Sequence, residues 1–274
     1  MIDVNRRVLP GFQLSLGYTL FYLSALVLIP LTACFLKAAS LSLDQIWAAV
    51  WTPRARAAYT LTVGASLIAA AANAVLGMLV AWVLVRYEFP FKRVVDALVD
   101  FPFALPTAVA GLVYSSLYVK SGWLGQFLVP LGIEGAYSRF AIVLVLIFIG
   151  LPFVVRTVQP ILEDFEAELE EAAACLGATR VQTFVRVIAP TLFPAIVTGF
   201  ALAFARGLGE YGSVVFVSGN MPYKTEIAPV LIVAALEEFR YPEAAAIAIV
   251  LLTISLTMLV LINMLERWSK RNVA

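Results

Sequence analysis

The chain alternates long uncharged runs with short polar ones. Val8 to Leu36 and Ala57 to Val85 contain no Asp, Glu, Lys or Arg. Each exceeds the roughly 20 residues that a helix needs to cross the hydrocarbon of a bilayer. Four further apolar segments follow, and together the pattern predicts spans at about 12–36, 58–86, 96–119, 138–158, 191–217 and 243–265. The third opens with Asp100-Phe101-Pro102-Phe103-Ala104-Leu105-Pro106-Thr107. Two prolines four apart free backbone carbonyls inside a helix, so a bend or a break is expected there. Pro152 falls inside the fourth span and Arg156 near its end. Ile227 to Leu236 is apolar but too short to cross, and reads as an interfacial or re-entrant helix.

The pattern changes between the fourth and fifth spans, at residues 159–190. Six of the chain's 18 acids lie between Glu163 and Glu171. Leu162, Phe165, Leu169, Ala173 and Leu176 recur three or four apart, the spacing of one helical stripe. Gly177 stands where a helix wants a left-handed C-cap. A second helix restarts with a capping box, Thr179 as N-cap and Gln182 three residues on. Its apolar positions are Val181, Phe184, Val185 and Ile188, and Pro190 is expected to mark its boundary. Two short helices joined by a glycine turn, wedged between two spans, form a docking device. An amphipathic connector lying on the membrane would explain the stripe, but interfacial helices favour Lys and Arg over a block of acids.

Composition makes this an integral membrane protein: 62% of residues are hydrophobic and 14% charged. The expected class is all-α and polytopic, a single membrane domain over 1–274 uninterrupted by linker, low-complexity tract or second soluble domain. A net charge of +1 gives no reason to expect nucleic acid as a partner. The absence of histidine removes the usual metal ligand and the commonest general base, and no metal or cofactor is called for. Leu31-Thr32-Ala33-Cys34 resembles a lipoprotein cleavage box, but the apolar run around it is longer than a signal h-region.

Six spans put both termini on one side. Lys and Arg number eleven on the side of the termini, the Tyr87 loop and the 159–190 segment, against seven in the opposite loops. The positive-inside bias therefore places the termini and the polar segment in the cytoplasm. Cys34 and Cys175 then lie on opposite sides of the bilayer and cannot pair.

The polar segment also carries a resemblance. Glu171-Ala172-Ala173, three residues, Gly177, nine residues, then Val187-Ile188-Ala189-Pro190 resembles the EAA loop of bacterial ABC importer permeases, with Ala189 where leucine is usual and Val187 where isoleucine is. The resemblance implies the type I importer permease fold, with this loop as a cytoplasmic coupling helix that enters a groove on a separate ATPase. Glu171, Ala172, Ala173, Gly177, Ala178, Thr179 and Pro190 would carry that contact. Arg6 to Gly11 (RRVLPG), Asp100 to Gly111 (DFPFALPTAVAG), Pro152 to Pro160 (PFVVRTVQP) and Arg206 to Gly212 (RGLGEYG) are similar to the sulfate/thiosulfate permeases. Within those the similarity is to the subunit lettered T, which pairs with a like subunit lettered W. The partners so implied are an ATPase dimer, that second permease, an extracytoplasmic sulfate/thiosulfate-binding protein and the lipid bilayer of the bacterial inner membrane. Molybdate or tungstate is the alternative cargo.

Two constellations bear on a pathway. Arg206 and Glu210 stand one helical turn apart near the middle of the fifth span, where a charge costs about 2.5–3.5 kcal/mol on insertion scales and should face protein or water. Either Arg206 belongs to an anion pathway with Glu210 holding it, or the two neutralise each other and fix the helix. Gly199, Ala203 and Gly207 form a small-residue rail beside them, suited to close helix packing. Pro102, Pro106 and Thr107, with freed backbone groups, either line the pathway or form a packing kink. Reaction chemistry is absent from the sequence. The nearest look-alike of a nucleotide-binding loop, Gly219 to Thr225, has Tyr223 in place of the second glycine. ATP would therefore be hydrolysed by another chain. A secondary transporter would need intramembrane coupling carboxylates, for which Glu210 alone is thin support. A membrane enzyme would need convergent nucleophiles or metal ligands.

Overall fold

The computed structural model describes residues 11–273, with side chains to 264, and every regular element among them is a helix. Arg6 to Pro10, part of the first similarity motif, lie outside the described residues. Helix α1 covers Phe12–Ala38 and α2 Leu43–Val50. Helix α3, Pro53–Arg86, is the longest among the described residues. Thr52 caps it by accepting the Ala55 N–H at 3.0 Å, and Pro53 sits at its first turn, where a missing donor costs nothing. Three short helices follow: α4 Lys92–Val99, α5 Phe101–Ala104 and α6 Thr107–Tyr118. After α7, Gly125–Leu128, come α8 Arg139–Glu163, α9 Ala167–Cys175 and α10 Arg180–Leu208. The chain ends with α11 Val214–Val217, α12 Ala228–Glu237 and α13 Tyr241–Val273.

Helices α3, α8 and α10 pack together as the centre of the molecule. Their shared core includes Leu84 from α3, Val154, Val155 and Val158 from α8, and Leu192, Phe204 and Leu208 from α10. Lipid is as apolar as these side chains, so close contact rather than exclusion from water must hold the helices together. The small-residue rail on α10 provides it. A Cβ on Gly199 would lie 2.7 Å from the Val154 Cα, closer than side chains approach, so α8 and α10 meet backbone to backbone. Helix α13 covers this centre and packs against α1, α2 and α12.

Among the described residues, five helices are long and apolar enough to cross a membrane: Phe12–Ala38, Pro53–Arg86, Arg139–Glu163, Arg180–Leu208 and the Tyr241–Met264 part of α13. Ala228–Glu237 is apolar but short, as expected. The expected third span is three helices, interrupted at Asp100 and again at Leu105–Pro106. The break falls where the two prolines forbid a continuous ladder.

Three expectations are corrected. Pro190 is no boundary, because α10 runs through it from Arg180 to Leu208. A π turn at Phe184–Ile188 widens the helix just before the proline, with the Ala189 N–H reaching back five residues to the Phe184 carbonyl. The same device stands at Ser24–Leu28, ahead of Pro30, in α1. A wider turn relieves the clash of the ring with the carbonyl four residues back. The stripe from Leu162 to Leu176 does not lie on one helix either. Helix α8 ends at Glu163 and α9 starts at Ala167, and between them Phe165 packs under the Arg86 guanidinium, 5.8 Å from its ring centre. Finally, α10 stops at Leu208 rather than reaching 217. Gly207, Gly209 and Gly212 weaken the helix there, and Glu210 turns its carboxylate to the Ser213 N–H.

Candidate functional site

The polar segment is a helical hairpin at the end of the bundle. Its turn is a complete Schellman motif: the Ala178 N–H bonds the Ala173 carbonyl at 3.0 Å and the Gly177 N–H bonds the Ala174 carbonyl at 2.9 Å. Gly177 has φ +83° with open space around it, so the need for glycine is one of backbone conformation, not of room. The capping box that restarts the chain is present on both sides, with the Gln182 N–H donating to the Thr179 hydroxyl and the Thr179 N–H to the Gln182 side chain. Glu171, Ala172 and Thr179 are exposed, Ala173, Ala178 and Pro190 half-buried. Apolar side chains divide by direction. Ile188 is buried and Phe184 packs edge-on against Trp82 of α3, whereas Leu176 is 89% exposed and Leu169, Val181 and Val185 also face outward. Four apolar side chains on the two arms are thus left in the open. Arg86, at the end of α3, holds the hairpin by bonding Glu170 at 2.5 Å while stacking over Trp82.

The two constellations at the breaks meet. Gly212 lies against Thr107 so closely that a Cβ there would fall 2.4 Å from the threonine Oγ1, and a Cβ on Gly111 would fall 2.2 Å from the Ser213 carbonyl oxygen. Ser115, one turn further along α6, donates to the Phe216 carbonyl at 3.1 Å. The start of α6 and the loop after α10 therefore make one junction. Arg206 sits in the last turn of α10 and Glu210 beyond its end, rather than both within a helix, and their side chains pair at 2.5 Å. The other Glu210 oxygen accepts from both the Ser213 N–H and its hydroxyl, each at 2.9 Å. The carboxylate side chain is 2% exposed and the guanidinium side chain 36%. Pro102 is buried, while Pro106 is exposed and Thr107 half-buried.

A third cluster has no counterpart among the sequence-derived site residues. Arg156 on α8 forks the Asp100 carboxylate with Nε at 2.8 Å and Nη2 at 2.7 Å. Its Nη1 bonds Asp96 at 2.6 Å and the Gln159 side chain at 2.7 Å, and Nη2 also reaches the Asp96 carbonyl. Asp100 and Arg156 both stand inside the similarity motifs; only the fold brings them together. The Gly219 to Thr225 look-alike is a structural loop. The Thr225 hydroxyl accepts from the Met221 N–H, Arg139 bonds the Lys224 carbonyl, and Arg54 forks the buried Glu226.

Long apolar helices, a broken helix among them and an exposed polar hairpin define a multi-pass membrane protein. The chain belongs to the binding-protein-dependent transport system inner membrane component family, whose model matches residues 73–274. It is 51% identical over 92% of its length to the sulfate transport system permease protein CysT of Synechocystis, covering 88% of that protein. It is 47% identical to the Escherichia coli protein of the same name, over 98% of both chains. A bacterial alginate ABC transporter, solved with an alginate pentasaccharide-bound periplasmic protein, contains a chain of the same fold, with TM-score 0.77 at 19% identity over 93% of each chain. The MetNI methionine ABC transporter is similar over 85% of this chain, with TM-score 0.57 at 17% identity. The fold is that of ABC importer permeases.

Proposed function

We propose that this chain is the membrane-spanning, non-catalytic permease subunit of an ATP-driven importer of sulfate and thiosulfate. The observation that carries the reading is near-full-length identity of about half to relatives named sulfate permeases. Helices α4 to α6 supply the sixth crossing, which places both termini and the hairpin in the cytoplasm of a bacterial inner-membrane protein. The hairpin is the coupling helix. Leu176 and its apolar neighbours enter a groove on an ATPase subunit, and Gly177 sets the angle between the two arms. A similar six-span permease completes a pseudo-twofold heterodimer, and an extracytoplasmic binding protein delivers the anion. The pathway passes the α6–loop junction. Glu210 is sealed and fully bonded, whereas Arg206 is open and its remaining N–H groups find no acceptor among the described residues. A guanidinium held on one side and free on the other suits a tetrahedral dianion in transit. The test is uptake of radiolabelled sulfate by cells lacking their own sulfate permeases and supplied with this chain and its partner subunits. Uptake competed by thiosulfate supports the reading; uptake of molybdate without sulfate would replace it with the other oxyanion.

A further inference from the structure

We propose that Arg156 is a positioning residue that ties the hairpin to the broken third segment, passing hairpin movement to the junction beside Glu210. The inference rests on the importer reading above. Helix α5 is only four residues long, and the helical ladder is interrupted at both its ends. Such a piece takes its orientation from side chains rather than from backbone hydrogen bonds. Asp100, at its entry, is forked by Arg156, and Phe103 within it packs edge-on against Phe153, one turn before Arg156 on α8. The fork fixes an angle as well as a distance, because both parallel bonds are made only when guanidinium and carboxylate are coplanar.

The same guanidinium is linked to the end of α8, from which the chain enters the hairpin. Gln159, bonded to Arg156, donates to Glu163 at 2.9 Å, and Glu163 is the last residue of α8 before the chain turns into α9. Arg86 grips α9 from the other side through Glu170. Residues 164–166 join α9 to Glu163, and from there side-chain contacts run through Gln159 and Arg156 to Asp100 and α5, and the chain continues past Pro106 to Thr107 against Gly212. Exposed ion pairs are individually weak. Here one side chain engages two carboxylates, an amide and a carbonyl with all three of its nitrogens, an arrangement that the point charge of lysine cannot reproduce.

The experiment reconstitutes the complete complex with its ATPase, second permease and binding protein, and measures sulfate moved per ATP hydrolysed. Arg156→Gln and Arg156→Lys are expected to assemble and hydrolyse ATP while that ratio falls at least about fivefold, the low end of coupling between linked sites. Asp96→Asn, which leaves the Asp100 fork in place, should lower it less. A purely structural cluster would change the amount of complex and not the ratio. An unchanged ratio in assembled Arg156→Gln overturns the proposal. Failure of all three variants to assemble, the mild Asp96→Asn included, assigns the cluster to folding and also overturns it. An unaltered complex that shows no ATP-driven sulfate uptake overturns the importer reading itself, a result distinct from a coupled complex indifferent to Arg156.

Discussion

Glu210 holds Arg206 at 2.5 Å from beyond the end of the helix that carries the arginine. The cation stands in the last turn, where the terminal carbonyls favour positive charge. The anion is buried in the loop and satisfied three times over, by Arg206 and twice by Ser213. Removing Arg206 strands a buried carboxylate, whereas removing Glu210 leaves a partly exposed arginine that can reach water.

Arg206→Met should therefore lower the yield of assembled complex more than Glu210→Leu does. Breaking a fully buried pair costs about 3–5 kcal/mol, and the exposure of Arg206 reduces that figure. The double variant Arg206→Met with Glu210→Leu removes the stranded charge and should assemble normally. Its sulfate uptake per assembled complex should remain about tenfold low, the worth of one lost charged hydrogen bond. Near-normal uptake by the double variant would make the pair structural.

At Gly177 the cost is set by the left-handed turn. Gly177→Leu should lose about 1–2 kcal/mol in the hairpin and misaim α10's first turn. ATP hydrolysis should then run without matching transport. Gly177→Asn should stay close to normal, because Asn enters that conformation readily. Equal behaviour of the two variants would show that the turn does not set docking.

Leu176 is the most exposed large apolar side chain of the hairpin. Leu176→Asp should leave the chain's own stability within about 0.5 kcal/mol, as surface substitutions do. Co-purification of the ATPase should nevertheless fall sharply. Retention of the ATPase at unaltered yield would remove Leu176 from the contact.

Gly111→Val drives a side chain into the Ser213 carbonyl, which leaves no room at 2.2 Å. Overpacking of this kind costs about 1–3 kcal/mol. The junction between α6 and the Glu210 loop should open, and thermal unfolding of the purified complex should shift down. An unshifted transition would show that the junction is loose.

Much of this was legible along the chain. The uncharged runs mark the long helices, because crossing hydrocarbon demands a length of apolar sequence that nothing else needs. The proline pair predicts the break at Leu105–Pro106, and Gly177 with Thr179 and Gln182 predicts the hairpin turn, since each acts through its own backbone. Features that depend on distant residues were not legible. Pro190 reads as a stop until the π turn at Phe184–Ile188 absorbs it. Phe165 fits a stripe until Arg86 draws it away. Arg156 and Asp100 lie 56 positions apart, and no spacing rule joins them. Cys34, half-buried in α1, and Cys175, exposed at the end of α9, are far apart in the chain and on separate elements.

The central claim, an ATP-driven sulfate permease that depends on a separate ATPase, is tested most directly in proteoliposomes. These would contain this chain, its second permease and its ATPase, with ATP inside and binding protein and radiolabelled sulfate outside. Sulfate should accumulate only when all four proteins and ATP are present, and omission of this chain alone should abolish it. Sulfate entry by this chain without the ATPase, at a rate matching the full complex, would contradict the account.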